Sequence, residues 1–203
     1  FGQKNKVYLM AKIKLTKNEL KAQRDALKRF QRYLPTLQLK KQQLQMEIRK
    51  LDQEIKNKSL IEDTERQNLK PWVKLYSESV ELDQYIEINS LDIIKGNIAG
   101  VNIPILKKII FNDVIPNIST TPLWIDHGII VLKQLITLRV ERKILQRQYE
   151  LLMDELRTTT QRVNLFEKVK IPEAKENIRI IRIFMGDQQT AAVARSKIAK
   201  GKN

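Results

Sequence analysis

The residues with the most chemical potential in this chain are few and scattered. Its single histidine, His127, follows Asp126, a pair that could orient a general base. Nucleophilic catalysis also needs a hydroxyl or thiol beside that base and a pocket around it. Neither is suggested here, so a surface or helix-capping role is expected. Gly96-Asn97-Ile98-Ala99-Gly100 is bounded by glycines but lacks the Gly-x-x-x-x-Gly-Lys-Ser/Thr pattern whose backbone N–H groups and lysine hold phosphates; it reads as a turn. With no cysteine, one histidine and no Asp/Asn-rich calcium loop, a metal has no ligand set. The adjacent carboxylates Asp154-Glu155 fall beside an apolar repeat, where they would be solvated or pair with a cation across a helix interface. No catalytic centre, cofactor or metal is expected.

The strongest pattern in the chain is geometric. From Leu20 to Lys58, positions seven apart read Leu20, Leu27, Leu34, Lys41, Ile48, Ile55. A series offset by three reads Gln23, Phe30, Leu37, Leu44, Leu51, Lys58. The pattern returns as Leu135, Arg142, Tyr149, Leu156, Val163, set against Val131, Leu138, Leu145, Leu152, Thr159, Phe166. Apolar residues repeating every three and four positions over more than three heptads mark a left-handed coiled-coil seam. Two such helices in one chain predict a hairpin packed on itself. The expected fold is therefore all-α: a long antiparallel two-helix left-handed coiled coil with a small helical and β-hairpin insertion. Its seam comprises Leu20, Leu27, Phe30, Leu37, Leu44 and Leu51 facing Leu138, Leu145, Leu152, Leu156 and Phe166.

Three segments follow. Residues 1–58 form the first coil helix, opened by a Thr16…Glu19 capping box and running to about Lys58, roughly 60 Å at 1.5 Å per residue. The heptad phase crosses Pro35 unbroken, so a kink and not a break is expected there. Met10-Ala11 looks like a translation start. Residues 59–120 form the middle segment. It is helical but irregular at first, with Trp72, Leu75, Val80 and Leu82 as candidate buried positions and Pro71-Trp72 suited to the first turn of a new helix. A β-hairpin over about 84–113 follows, because Val101, Ile103 and Ile105 alternate with Asn102 and Pro104; Pro104 confines that strand to an edge. Residues 121–203 form the second coil helix, entered at Thr121-Pro122 and ended by a basic tail. Beyond Phe166 the apolar positions Ile171, Ala174, Ile178, Ile181 and Met185 stand one residue out of register. With Pro172 at the slip, altered supercoiling or a local kink is expected. Gly186-Asp187 is expected to loosen the helix.

The net charge of +15 is uneven. Residues 1–58 hold 16 Lys/Arg against 5 Asp/Glu, residues 59–126 hold 6 against 10, and residues 127–203 hold 16 against 8. Two basic helices repel one another unless an acidic surface lies close, so a large acidic partner is expected. No run of 18 apolar residues exists for a spanning helix, no leader pattern opens the chain, and the absence of cysteine suits a reducing compartment. The sequons at Asn57 and Asn117 read as chance.

The second helix carries a resemblance. Arg162-Val163-Asn164-Leu165-Phe166-Glu167, then Ile171-Pro172 and Ile178-Arg179-Ile180-Ile181, resembles the D subunit of the V/A-type (vacuolar/archaeal-type) rotary ATPases and ATP synthases, in its bacterial branch. Leu37-x-x-Lys40-Lys41-x-x-Leu44 resembles that family's first helix, Ala99-Gly100-Val101-Asn102-Ile103-Pro104 its hairpin, and Thr121-Pro122-Leu123-Trp124-Ile125-Asp126 its second-helix entry. Pro35 and Gly186-Asp187-Gln188 depart from the pattern.

The resemblance implies a non-catalytic central-stalk rotor component. Its partners would be the catalytic A and B subunits around both termini, the small F subunit of the rotor, and a socket protein of the C/d type above the membrane ring. The middle segment and its hairpin would lie at the membrane-facing end, and the chain would be cytoplasmic and peripheral to the membrane, without inserting into it. Lys17, Lys21, Arg195, Lys197 and Lys200 would then face acidic loops of the hexamer, and exposed Val101, Ile103 and Ile105 the socket or the small rotor partner. A rival reading, from the pI of about 9.9, is a basic coiled-coil nucleic-acid-binding or scaffold protein. With only 6% aromatic residues, several of them in the seam, stacking surfaces for bases are scarce.

Overall fold

The computed structural model describes residues 13–72, 74, 82–112, 114, 116, 121, 122 and 124–201, Trp72 by its backbone alone. Leu75, Val80, Met10 and Lys202 lie outside the described residues. The chain is mostly helical. Its elements are α1 (Lys17–Leu69), a 3₁₀ turn (Lys70–Trp72), α2 (Asp83–Ile86), β1 (Ile88–Ile98), β2 (Val101–Phe111), α3 (Ile125–Leu165), a π turn (Phe166–Lys170) and α4 (Ile171–Lys200).

Thr16 caps α1 as its sequence predicts, its Oγ1 accepting the Glu19 N–H at 3.2 Å. Only half of the capping box forms, because Glu19 Oε1 instead accepts from the Gln23 side chain at 2.8 Å. Pro35 lies inside α1 without breaking it. The helix does not stop near Lys58 but runs on to Leu69, and Pro71 sits in the 3₁₀ turn that ends it instead of opening a new helix. The second long helix likewise starts at Ile125, later than Thr121-Pro122, with the Ile125 N–H on the Pro122 carbonyl at 3.1 Å. Gly186 does not loosen α4: the helix continues through it, and the Thr190 hydroxyl donates to its carbonyl at 3.1 Å.

Two compact units divide the chain. One holds the described residues up to Leu39 together with those from Thr159 onward; the other is Lys40–Thr158. In the first, Phe30 of α1 stacks on Phe166, ring centroids 5.4 Å apart and planes 25° from parallel. Thr159, Val163, Ala174, Asn177, Ile178 and Ile181 are buried in the same unit. In the second, Leu44, Ile48 and Leu51 of α1 pack with Leu152 of α3 and Ile103 of β2. Each such side chain contributes about 1.5–3 kcal/mol on burial. A smaller cluster of Tyr85, Ile125 and Ile129, with Leu82 against it, ties α2 to the start of α3.

The hairpin forms where alternation places it. β1 and β2 pair antiparallel, with Ile98 opposite Val101 and Gly96 opposite Ile103. The two turn residues have φ of 51° at Ala99 and 82° at Gly100, the left-handed pair that matches strand twist in a two-residue loop. Asn97 secures the turn, its Oδ1 accepting the Gly100 N–H at 3.0 Å and its Nδ2 donating to Asn102 Oδ1 at 3.1 Å. An alanine tolerates this backbone because its methyl packs against the Leu44–Leu152 cluster. Glu87 and Asn112 close the open end through a backbone bond of 3.0 Å and a side-chain bond of 2.8 Å.

The register slip after Phe166 has a structural cause. The Ile171 N–H donates to the Phe166 carbonyl, five residues back, so the turn winds in one residue more than an α turn. Pro172 follows at once, where its missing N–H would otherwise leave a hole in the α ladder.

Candidate functional site

Polar residues at and beside the heptad positions find one another across the helices. In the Lys40–Thr158 unit, Lys58 Nζ meets Glu141 Oε2 and Lys40 Nζ meets Glu155 Oε1, each at 2.5 Å. Glu62, only 4% exposed, lies 3.0 Å from Arg142 Nε and 3.4 Å from Arg66. The Glu62–Arg142 contact is an ion pair whose N–H is not aligned for a hydrogen bond. In the other unit, Asn177 Nδ2 donates a long 3.4 Å bond to Gln23 Oε1. Gln23, Lys58 and Arg142 all occupy heptad positions. Glu62 is one step beyond Ile55 in the first series, and extending that series would have found it. Such pairs stabilise weakly against apolar replacements but punish every misregister.

The hairpin has one committed face and one open end. Ile103, expected to be exposed, is 3% exposed and belongs to the chain's own core; Val101 is half-buried against the same cluster. The difference arises because strand alternation says which residues share a face but not which face the helices cover. Ile105 does remain open at 38%, and its register partner Ile94 and the hairpin residues Leu91, Ile93 and Ile110 are exposed too. The Ile105 side chain also occupies the space a side chain at Gly96 would need.

Lys17, Lys21, Arg195, Lys197 and Lys200 are all exposed, and among the described residues none of them forms an ion pair. The remaining seam positions divide by depth: Leu20, Leu27, Leu37, Leu138, Leu145 and Leu156 are half-buried, while Leu44, Leu51 and Leu152 are buried. A groove of about 450 Å³ was not anticipated. Arg24, Lys28, Lys175 and Arg182 rim it above Leu27 and Ile178. Two acids of α4 near it in sequence are already engaged: Glu173 with Lys170 at 3.1 Å and Glu176 with Arg179 at 2.7 Å. The Arg179 bond holds the Glu176 carboxyl below the usual carboxylate range, and Arg179 is raised in return.

Among the described residues, no group of three or more His, Asp or Glu is placed to hold a metal, and no helix is long and apolar enough to cross a membrane. His127 and Asp126 are both exposed at the first turn of α3.

A family model for the D subunit of ATP synthase matches residues 19–201. The V-type ATP synthase D subunit of Borreliella burgdorferi is 53% identical over 191 residues, which is 94% of this chain and 95% of that protein. The D subunits of the V-type ATP synthases of Chlamydia muridarum and Chlamydia pneumoniae are 34% and 33% identical, covering 96% of this chain and 97% and 94% of theirs. The chain belongs to the ATP synthase D-subunit family.

Proposed function

We propose that this chain is the central-stalk rotor component of a V/A-type ATPase or ATP synthase. It couples ATP hydrolysis or synthesis in a hexamer of A and B subunits to proton or sodium movement through a membrane ring, and catalyses nothing itself. Near full-length similarity to V-type ATP synthase D subunits carries the reading.

The order of the cross-helix pairs supports the mechanical half. In the unit that holds Phe30 and Phe166, residues 23 and 30 of α1 meet 177 and 166; in the Lys40–Thr158 unit, residue 40 meets 155 and residues 58 and 62 meet 141 and 142. Within each unit the partner number is lower further along α1, and with heptad leucines between the pairs this favours antiparallel coiled-coil pairing, a form stiff enough to transmit torque. Exposed, hydrated lysines and arginines suit a turning surface, since they make weak, screened contacts in place of a deep apolar lock. On this reading Lys17, Lys21, Arg195, Lys197 and Lys200 meet acidic loops of the hexamer, and Ile105 on the open hairpin faces the small F subunit of the rotor or the C/d-type socket. The chain then works at the cytoplasmic side of the membrane.

Co-purification from native membranes tests this. Recovery with A and B ATPase subunits is the expected result; recovery with nucleic acid alone would establish the basic nucleic-acid-binding alternative instead. Reversing the five terminal charges is expected to lower coupled ATPase activity.

A further inference from the structure

The π turn at Phe166–Lys170 separates two phases of one apolar stripe. Continuing the heptads of Val163 and Phe166 would turn Lys170, Glu173, Asn177, Ile180 and Phe184 toward α1. Of these only Asn177 is buried; the other buried side chains are Ala174, Ile178 and Ile181, each one residue further on than a position of that series. Winding the extra residue into α geometry would rotate α4 about its axis by roughly 100°, the angle of one residue.

The neighbouring face of α4 is suited to part of that rotation. Ile180 is half-buried and Phe184 is 36% exposed, so the apolar stripe continues past the buried seam. Asn177 belongs to both phases. It is 5% exposed, its one hydrogen bond is the 3.4 Å contact to Gln23, and its Oδ1 has no partner. Lys170 and Glu173, the two charges that rotation would bring inward, already neutralise each other. The apolar stripe is thus wider than the seam now buried, and the amide at its centre is half-satisfied.

We propose that Phe166–Lys170 is a torsional joint. It lets α4 roll on its own axis against α1 by a fraction of the angle between the two phases, with the twist taken up in the wide turn. If the chain is the rotor shaft, the reading on which this inference rests, the joint smooths angular steps passing along it.

The joint can be removed without disturbing either flanking face. Deleting Val169 takes out the extra residue, and Pro172→Ala restores the missing N–H. In the full chain within its complex, amides 167–175 of this double variant are expected to exchange hydrogen about tenfold more slowly than wild type. The angular spread of a probe on the stalled rotor should narrow in parallel. Pro172→Ala alone keeps the extra residue and should keep the spread. Unchanged exchange in the double variant would overturn the joint. Should that variant fail to assemble, the wild-type complex decides: amides 167–175 exchanging no faster than those of Leu152–Thr159 would equally overturn it. Failure to recover A and B subunits would sink the shaft reading but leave these exchange results standing.

Discussion

The Gln148 side-chain amide, 7% exposed on α3, donates to the Pro104 carbonyl of β2 at 2.5 Å. Proline gives the ladder no N–H, but its carbonyl is free to accept. α3 therefore grips the hairpin through its backbone, beside the contact that buries Ile103.

Replacing Gln148 by Leu would take the side-chain donor from that part-buried carbonyl, at a cost of about 1–3 kcal/mol. A lowered denaturant midpoint, with faster hydrogen exchange confined to β1 and β2, is the expected outcome. An unchanged midpoint would show that the grip carries no stability.

The Glu62–Arg142 pair makes a sharper test. Arg142→Leu leaves a carboxylate that is 4% exposed with only Arg66, at 3.4 Å, as its cation, so the loss should fall below the roughly 3–5 kcal/mol of a fully stranded buried charge, whereas replacing both residues by leucine should be near neutral or stabilising. A double-mutant cycle followed by thermal unfolding measures the coupling. Equal losses in the single and double variants would refute it.

Two isoleucines of β2 separate folding from partner binding. Ile103→Ala should cost about 2–4 kcal/mol, since it opens a cavity in the core. Ile105→Asp should cost markedly less stability. On the rotor reading it should instead weaken capture of the small rotor partner or the socket, measured by pull-down with each purified protein.

Glu176 should titrate below an ordinary glutamate, because its hydrogen bond to Arg179 favours the charged form. A lowered folded-state pKa adds stability above the unfolded carboxylate range and loses it as pH falls through the folded value. Both side chains are solvated, so the effect on stability is slight and the measurement belongs to the carboxyl carbon resonance. Arg179→Gln should return the Glu176 titration to the usual range.

Much of this was legible in the residues. Heptad spacing located Leu44, Leu51 and Leu152 in the core and paired Phe30 and Phe166 with their helices, because burial on one stripe leaves a strong period. Gly100 and the alternation after it located the hairpin. The slip at Ile171-Pro172 was visible as a phase change, but its cause was not. A proline and a one-residue shift fit either a kink or a widened turn, and only backbone hydrogen bonds distinguish them. Helix ends were read less well. α1 runs past its expected end at Lys58: the next position of the first series is Glu62, a charge where an apolar residue would carry the pattern on, and its pairing with Arg142 across the helices is not visible from α1 alone. The Arg24–Arg182 groove escaped notice because its cations come from helices about 150 positions apart in sequence, and the charge of each helix taken alone reads as a solvated face.

The contact between Gln23 and Asn177 joins residues 154 positions apart. At about 5–20 residues added per second during synthesis, Gln23 waits roughly ten seconds or more before Asn177 exists. The Lys40–Thr158 unit is complete in sequence sooner. Through that interval the early turns of α1 expose Leu20, Leu27 and Phe30 with nothing to cover them, so the nascent chain depends on chaperones or on the charges flanking those residues to stay free of aggregation.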